Sequence, residues 1–268
     1  ENRSPPHGFD PIDDDLEMLG IENSILQVEG FRRFAHLAEM LRTHQRFFNT
    51  FREYYPELHD LVPSPTYQEG VSRSIEAVID RFGEIRDEAS PELKSIRKRI
   101  QTASAGIDQS FNAALIRCQK SDFLDEIRES IVENRRVLAV KAMHRRKVKG
   151  NVLGTSKTGS IVYIEPESSV RFVRELQLLQ LEEREEIRRI LKRLANELRP
   201  YIPDLKAYQD VMTEMDMTAA KAQYAASIGA ILPEINSDQR LYLRDAFHPL
   251  LLLSNRERGE KTWPQTIE

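Results

Sequence analysis

From Leu93 to Cys118 the apolar side chains Leu93, Ile96, Ile100, Ala103, Ile107, Phe111, Ala114 and Cys118 recur every three or four residues without a break. That is the repeat of one helix face. Sustained over about 28 residues, it predicts a continuous helix roughly 40 Å long at 1.5 Å per residue. Ser90 stands where a capping side chain belongs, and Pro91 takes the first helical position, where a missing N–H costs nothing. A stripe of this length needs a partner of similar length. The sequence supplies one at about residues 168–198, with Val170, Val173, Leu176, Leu179, Ile187, Ile190, Leu191, Leu194 and Leu198 as its apolar set. Its other residues include Glu182, Glu183, Glu185 and Glu186 against Arg184, Arg188, Arg189, Lys192 and Arg193. With pairs such as Glu185 and Arg189 in the favourable i, i+4 order, this reads as a solvated helix face.

Between the two stripes the period changes to two. Val137, Ala139 and Lys141, with Leu138 and Val140 between them, form a strand-like run. A second run, Gly150-Asn-Val-Leu-Gly154, leads through Thr155-Ser-Lys-Thr-Gly159 to Ser160-Ile-Val-Tyr-Ile164, which predicts a β-hairpin turning near Lys157–Gly159. Charge changes over the same stretch. Residues 134–164 hold no Asp or Glu but carry Arg135, Arg136, Lys141, Arg145, Arg146, Lys147, Lys149 and Lys157. The net charge of −4 conceals this, because the other 31 cations face 43 anions. A wholly basic island in so acidic a chain points to an anion-binding patch.

The remainder reads as helical. Residues 1–20, with Pro5, Pro6, Pro11, Gly8 and the Asp13–Asp15 triplet, read as a poorly ordered or loosely docked lead-in. Phe31, Phe34, Leu37, Ala38, Leu41, Phe48 and Phe51 mark a helix, punctuated by Pro56 and the Pro63–Ser64–Pro65 cluster. A shorter helix follows with Val71, Ile75, Val78, Ile79 and Phe82 on one face. The predicted fold is mainly α with a small β element: long antiparallel helices carrying a β-hairpin or small sheet, and a helical core at their base. The organisation is a lead-in at 1–20, helical core at 21–90, ascending helix at 91–133, basic β element at 134–166, descending helix at 167–200 and helical return at 201–268.

Several chemistries are not supported. Cys118 is the only cysteine, lies on the apolar stripe, and fits a core position in a chain from a reducing, cytoplasmic compartment. No apolar run is long enough to span a membrane. His7, His36, His44, His59, His144 and His248 show no metal-ligand spacing, and no nucleophile–base constellation is legible. His248 beside Pro249, and Asp216 amid Met212, Met215 and Met217, read as structural. Gly150-Asn-Val-Leu-Gly154-Thr-Ser-Lys157-Thr158 imitates a phosphate loop, but its lysine is misplaced and a strand follows instead of a helix. No catalytic, cofactor or metal site is expected within these residues.

Seven segments together resemble the second bacterial branch of the MutS family, whose members carry an Smr nuclease. The run Gly83-Glu-Ile-Arg-Asp-Glu-Ala-Ser-Pro-Glu-Leu-Lys-Ser-Ile-Arg97 is similar to that branch's approach to the lever. Lys147-Val-Lys-Gly150, Ser156-Lys-Thr-Gly159 and Tyr163-Ile-Glu-Pro166 resemble its clamp. Residues 183–194, with the core Glu-x-x-Glu-Ile-x-x-Ile-Leu, resemble the returning helix. Met215-Asp216 with Ala219, Ala220, Lys221 and Ala222, then Phe247-His248-Pro249-Leu250-Leu251, are similar to the path into the ATPase domain. The chain departs from the family at Leu153-Gly154 (usually His-Asp), Arg174-Glu175 (commonly paired asparagines) and Phe247 (usually arginine).

The resemblance implies a lever and clamp without the ATPase domain, hence no enzyme in this segment. It implies a homodimeric parent that uses ATP and Mg, with endonuclease activity at its Smr end. The implied role is DNA mismatch repair or suppression of recombination; the basic island itself, apart from the resemblance, points to Arg145, Arg146, Lys147, Lys149 and Lys157 as the residues that would touch duplex or branched DNA, with Arg135, Arg136 and Lys141 in support. Two alternatives stand beside it: a clamp for ribosomal RNA in the rescue of stalled ribosomes, and a coiled-coil or dimerisation spacer with an incidental charged end.

Overall fold

The two apolar stripes meet in one seam. In chain order, the computed structural model, which describes residues 5–61, 65–237 and 240–267, contains α1 (Asp13–Gly20), α2 (Val28–Thr50), α3 (Pro56–Leu61), α4 (Glu69–Val78), α5 (Pro91–Lys120), β1 (Leu124–Val132), β2 (Arg135–Lys141), β3 (Gly150–Thr155), β4 (Ile161–Pro166), α6 (Glu167–Leu198), α7 (Ile202–Ile228), β5 (Leu243–Ala246), α8 (Pro249–Arg258) and β6 (Gln265–Ile267). The expected mainly α architecture with a small β element is what these elements make. They divide into two compact units. One comprises Ile12–Ala35 and Gln68–Ile202; the other comprises Glu1–Pro11, His36–Tyr67 and Pro203–Glu268.

The first of these units is built on α5 and α6. Ser90 caps α5 as expected, its hydroxyl accepting from the Leu93 N–H at 3.0 Å while donating to the buried Glu186 carboxylate of α6 at 2.7 Å. Next along the seam, Arg97 donates to Glu183 at 2.8 Å and to Asp87, and Arg99 to Glu182 at 3.1 Å. Ile96, Ala103 and Leu179 are buried together, with Ile100 and Leu176 against them. Gly106 lies so close to Phe172 that a Cβ there would come within 2.7 Å of the ring, so the helices approach on a missing side chain. Ser110 and Ser169 join at 3.1 Å nearest the sheet. Partners on α6 run backwards as those on α5 run forwards, which makes the pair antiparallel. Glu182, Glu183 and Glu186 therefore differ from the solvated face expected of them: the first two pair across the seam, and the third is buried in it.

Both ends of the pair are occupied within this unit. At the base, α1 and α4 pack on α6. Here the lead-in reading is corrected. Ile12, Leu16 and Leu19 are buried, and Asp15 takes two hydrogen bonds from Arg33, at 2.6 and 2.7 Å. Three aspartates in the first turn suit the positive end of the helix dipole, so Asp13–Gly20 is helical. Residues 1–4, Pro63 and Ser64 lie outside the described residues.

At the other end sits a four-stranded antiparallel sheet in the order β1-β2-β4-β3. Leu124, Leu138, Val140, Val148, Val162 and Ile164 pack on Phe111 and Ala114 of α5, with Leu115, Cys118 and Phe123 at the margin. Val137 to Val140 are all buried, as befits a central strand covered on both faces. The hairpin of β3 and β4 turns at Ser156–Gly159, as the sequence predicts. The ascending helix, however, does not reach residue 133. It ends at Lys120, and β1 doubles back onto β2 through Glu133 and Asn134, both at positive φ (48° and 60°), a two-residue type I′ turn.

In the other unit, Leu37, Leu41, His44 and Phe48 of α2 and Leu205, Tyr208, Met212 and Met215 of α7 are buried. The Tyr208 hydroxyl donates to the Thr66 carbonyl at 3.0 Å. His248 accepts from the Leu251 N–H and caps α8, the structural role expected of it.

Two outcomes follow for stability. Ser90→Ala removes the cap and the hydroxyl that donates to Glu186; urea denaturation should show a loss of about 1–3 kcal/mol. His44 is fully buried, with Nδ1 2.9 Å from the Met40 carbonyl and Nε2 without a partner, and burial lowers its pKa below 6.5. The unfolded chain then binds a proton that the folded chain refuses, so stability should fall as pH drops below about 6.5. His44→Phe should flatten that part of the pH profile.

Candidate nucleic-acid interface

The eight cations of the basic island fall into two classes. Arg135, Arg136 and Lys141 are engaged by the fold. Arg135 lies 3.3 Å from Glu165, a carboxylate only 2% exposed. Arg136 reaches Asp108 of α5 at 2.9 Å and Glu129 of β1 at 2.8 Å, with its guanidinium 4.2 Å over the Phe111 ring. Lys141 bonds Asp122 at 2.9 Å and holds that carboxyl below the usual range. These three tie strands to one another and to α5, and their charge is already answered.

Arg145, Arg146, Lys147, Lys149 and Lys157 are exposed, and none is within ion-pair distance of a carboxylate among the described residues. The first four ride on the crossover from β2 to β3. That crossover is a 3-10 turn over Ala142–Lys147 followed by Val148, whose buried side chain anchors it to the sheet core. Lys147 rests its ammonium 5.3 Å from the Phe123 ring centroid, and His144 lies tilted at 42° against the same ring, with centroids 5.0 Å apart. Lys157 stands apart on the Ser156–Gly159 turn, a strand length of about 20 Å from Lys149. Gly150 begins β3 at φ 154°, where a Cβ would fall 2.0 Å from the Glu165 carbonyl oxygen. Only glycine lets the crossover close onto β4 here.

Two open depressions flank the crossover. One, about 710 Å³, is lined by Arg145, Arg146 and Lys149 from the crossover and by Arg171 and Arg174 from α6, against a single acid, Glu167. The other, about 520 Å³, has Ala114, Cys118, Phe123, Val148 and Pro166 as its apolar lining and Arg117, Lys147 and Lys149 as its cations. Arg171, Arg174 and Arg117 were not legible as site residues. The first two follow the basic island beyond Glu165 and Glu167, three residues apart on one helix face, and belong to it only once α6 folds beside β3.

Among the described residues no cluster of His, Cys, Asp or Glu could hold a metal ion, and no helix is long and apolar enough to cross a membrane. Cys118 is a free thiol whose pKa is raised by burial, as its stripe position suggested. The imitation phosphate loop is the β3–β4 hairpin.

No family model matches the chain. Among curated proteins it is similar to the endonuclease MutS2 of Carboxydothermus hydrogenoformans, 33% identical over 205 residues (76% of this chain, 26% of that protein). The endonuclease MutS2 of Lacticaseibacillus paracasei is 36% identical over 197 residues (74% and 25%). That of Pelotomaculum thermopropionicum is 30% identical over 244 residues (91% and 31%). The chain spans about a quarter of the length of these relatives.

The division of the cations can be checked by stability alone. Arg136→Ala should cost about 1 kcal/mol in chemical denaturation, since two largely exposed carboxylates and an aromatic face lose their partner. Arg145→Ala and Arg146→Ala should each stay within about 0.5 kcal/mol of the parent chain.

Proposed function

We propose that this chain, related as it is to the endonuclease MutS2 proteins, is the lever-and-clamp segment of a MutS-type protein, and that its basic sheet grips the DNA backbone. The observation that carries this reading is the set of cations without carboxylate partners on the β2–β3 crossover, gathered beside Arg171 and Arg174 around one depression. A fold that needed these charges for itself would pair them, as it pairs Arg135, Arg136 and Lys141. Phosphate contacts from such side chains fix position on the nucleic acid without reading its sequence. The helix pair supplies a rigid mount of about 45 Å for the sheet. In the full-length protein an ATPase domain, using ATP and Mg and paired in a homodimer, would move that mount; any nuclease chemistry lies in other residues.

A spacer with an incidental charged end predicts no binding at moderate salt. A clamp touching about four phosphates predicts that log K falls with log salt at a slope near −3.6. Reversing Arg145, Arg146, Lys149, Arg171 and Arg174 to glutamate should lower duplex affinity by roughly 100-fold or more and flatten the slope. Fluorescence anisotropy across a salt series reads both. Unchanged affinity in the reversed variant would overturn the proposal, and a preference for structured ribosomal RNA over DNA would redirect it.

A further inference from the structure

We propose that the 520 Å³ depression beside the crossover is a receptor for one unstacked nucleotide, its base on the apolar floor and its phosphate on the cationic rim. The inference rests on the nucleic-acid reading for its ligand chemistry, but uses a different depression and a different test.

Two features point to a base and not to a phosphate alone. The depression of about 710 Å³ is walled chiefly by charge, which suits a passing backbone. This one is floored by Ala114, Cys118, Phe123 and Val148, so half of what it offers is apolar. Its volume lies within the roughly 300–1,000 Å³ of small-molecule sites, whose usual form is an apolar cavity with a few convergent polar groups.

The second feature is Lys147. Its ammonium is parked over the Phe123 ring, with no carboxylate to hold it. An exposed cation–π contact is weak, about 0.5–1 kcal/mol, and a phosphate is a better partner. A nucleotide entering the depression can draw Lys147 onto its phosphate and lay its base on the ring face the ammonium vacates. One exchange satisfies both groups. Arg117 and Lys149 also stand on the rim, against one acid, Glu167, with the hydroxyls of Ser121 and Ser168 beside them.

Cys118 makes the test simple, because it lines the floor and is the only thiol in the chain. Its labelling by a disulfide reagent should be slowed roughly tenfold by AMP or by a short single-stranded oligonucleotide, as base–aromatic stacking on Phe123 covers it. Protection by AMP alone would identify a free nucleotide as sufficient; protection only by the oligonucleotide would identify a strand-borne one. Tripolyphosphate and an abasic oligonucleotide of the same length carry the charge without the base and should leave the rate unchanged. Phe123→Leu keeps the floor apolar, so it should abolish protection while the thermal unfolding midpoint stays within a few degrees. The proposal is overturned if the abasic strand or tripolyphosphate protects as well as its base-bearing counterpart, or if nothing protects. Duplex binding that survives such a result leaves the backbone clamp standing; protection by AMP without duplex binding does the reverse.

Discussion

The rest of the sheet-bearing unit depends on the seam between α5 and α6. Neither helix has a second long apolar face, so each is stable because the other covers it. The polar contacts along the seam fix the register that hydrophobic burial leaves loose. Ser90 with Glu186 sets it at the base, Arg97 with Glu183 in the next turns, and Ser110 with Ser169 beside the sheet. A slip of one turn would break all three and push Phe172 off the clearing at Gly106. The placement of the sheet follows from this register. Its core closes on Phe111 and Ala114, so whatever fixes α5 also fixes the crossover that carries the cations.

Energetics explain why the cations divide as they do. Arg136 is held by two carboxylates and an aromatic ring, and Arg135 answers a carboxylate that is almost wholly buried. Removing Arg135 would leave the buried Glu165 carboxylate uncompensated, which costs more than an exposed pair gains, whereas the partners of Arg136 stay in contact with water. Arg145, Arg146 and Lys149 have no such debt. Their long side chains keep their rotamer freedom and their hydration.

Much of this was legible because periodicity reports burial directly. The stripe of Leu93, Ile96, Ile100, Ala103, Ile107, Phe111 and Ala114 is the seam and the sheet floor, and Ser90–Pro91 capped the helix where their chemistry said they would. Three features escaped for physical reasons. Leu124, Ile127 and Ile131 are spaced like a helix face, yet a type I′ turn at Glu133–Asn134 makes their segment a strand, and two of them are exposed. The acids of α6 have suitable partners within their own helix, and only the tertiary fold shows that Glu182 and Glu183 reach across to Arg99 and Arg97 instead. Arg171 and Arg174 lie beyond two acids in the chain but beside Lys149 in space. Pairing across elements is invisible to a one-dimensional window.

The position of Arg174 bears on how the site differs within its kind. Where the resembled family commonly has paired asparagines, this chain has Arg174 and Glu175, and Arg174 lines the cation-walled depression. An asparagine there offers hydrogen bonds but no charge; the arginine adds a guanidinium able to fork onto a phosphate. At Leu153-Gly154 the same chain gives up the usual His-Asp pair, losing an acid that would have offset the cations of the sheet. The first departure adds a cation and an acid side by side and the second removes an acid, while the chain outside residues 134–164 carries twelve more anions than cations. In the first departure placement matters more than the sum: Arg174 lines the depression with Lys149, and Glu175 is not among the residues that line it.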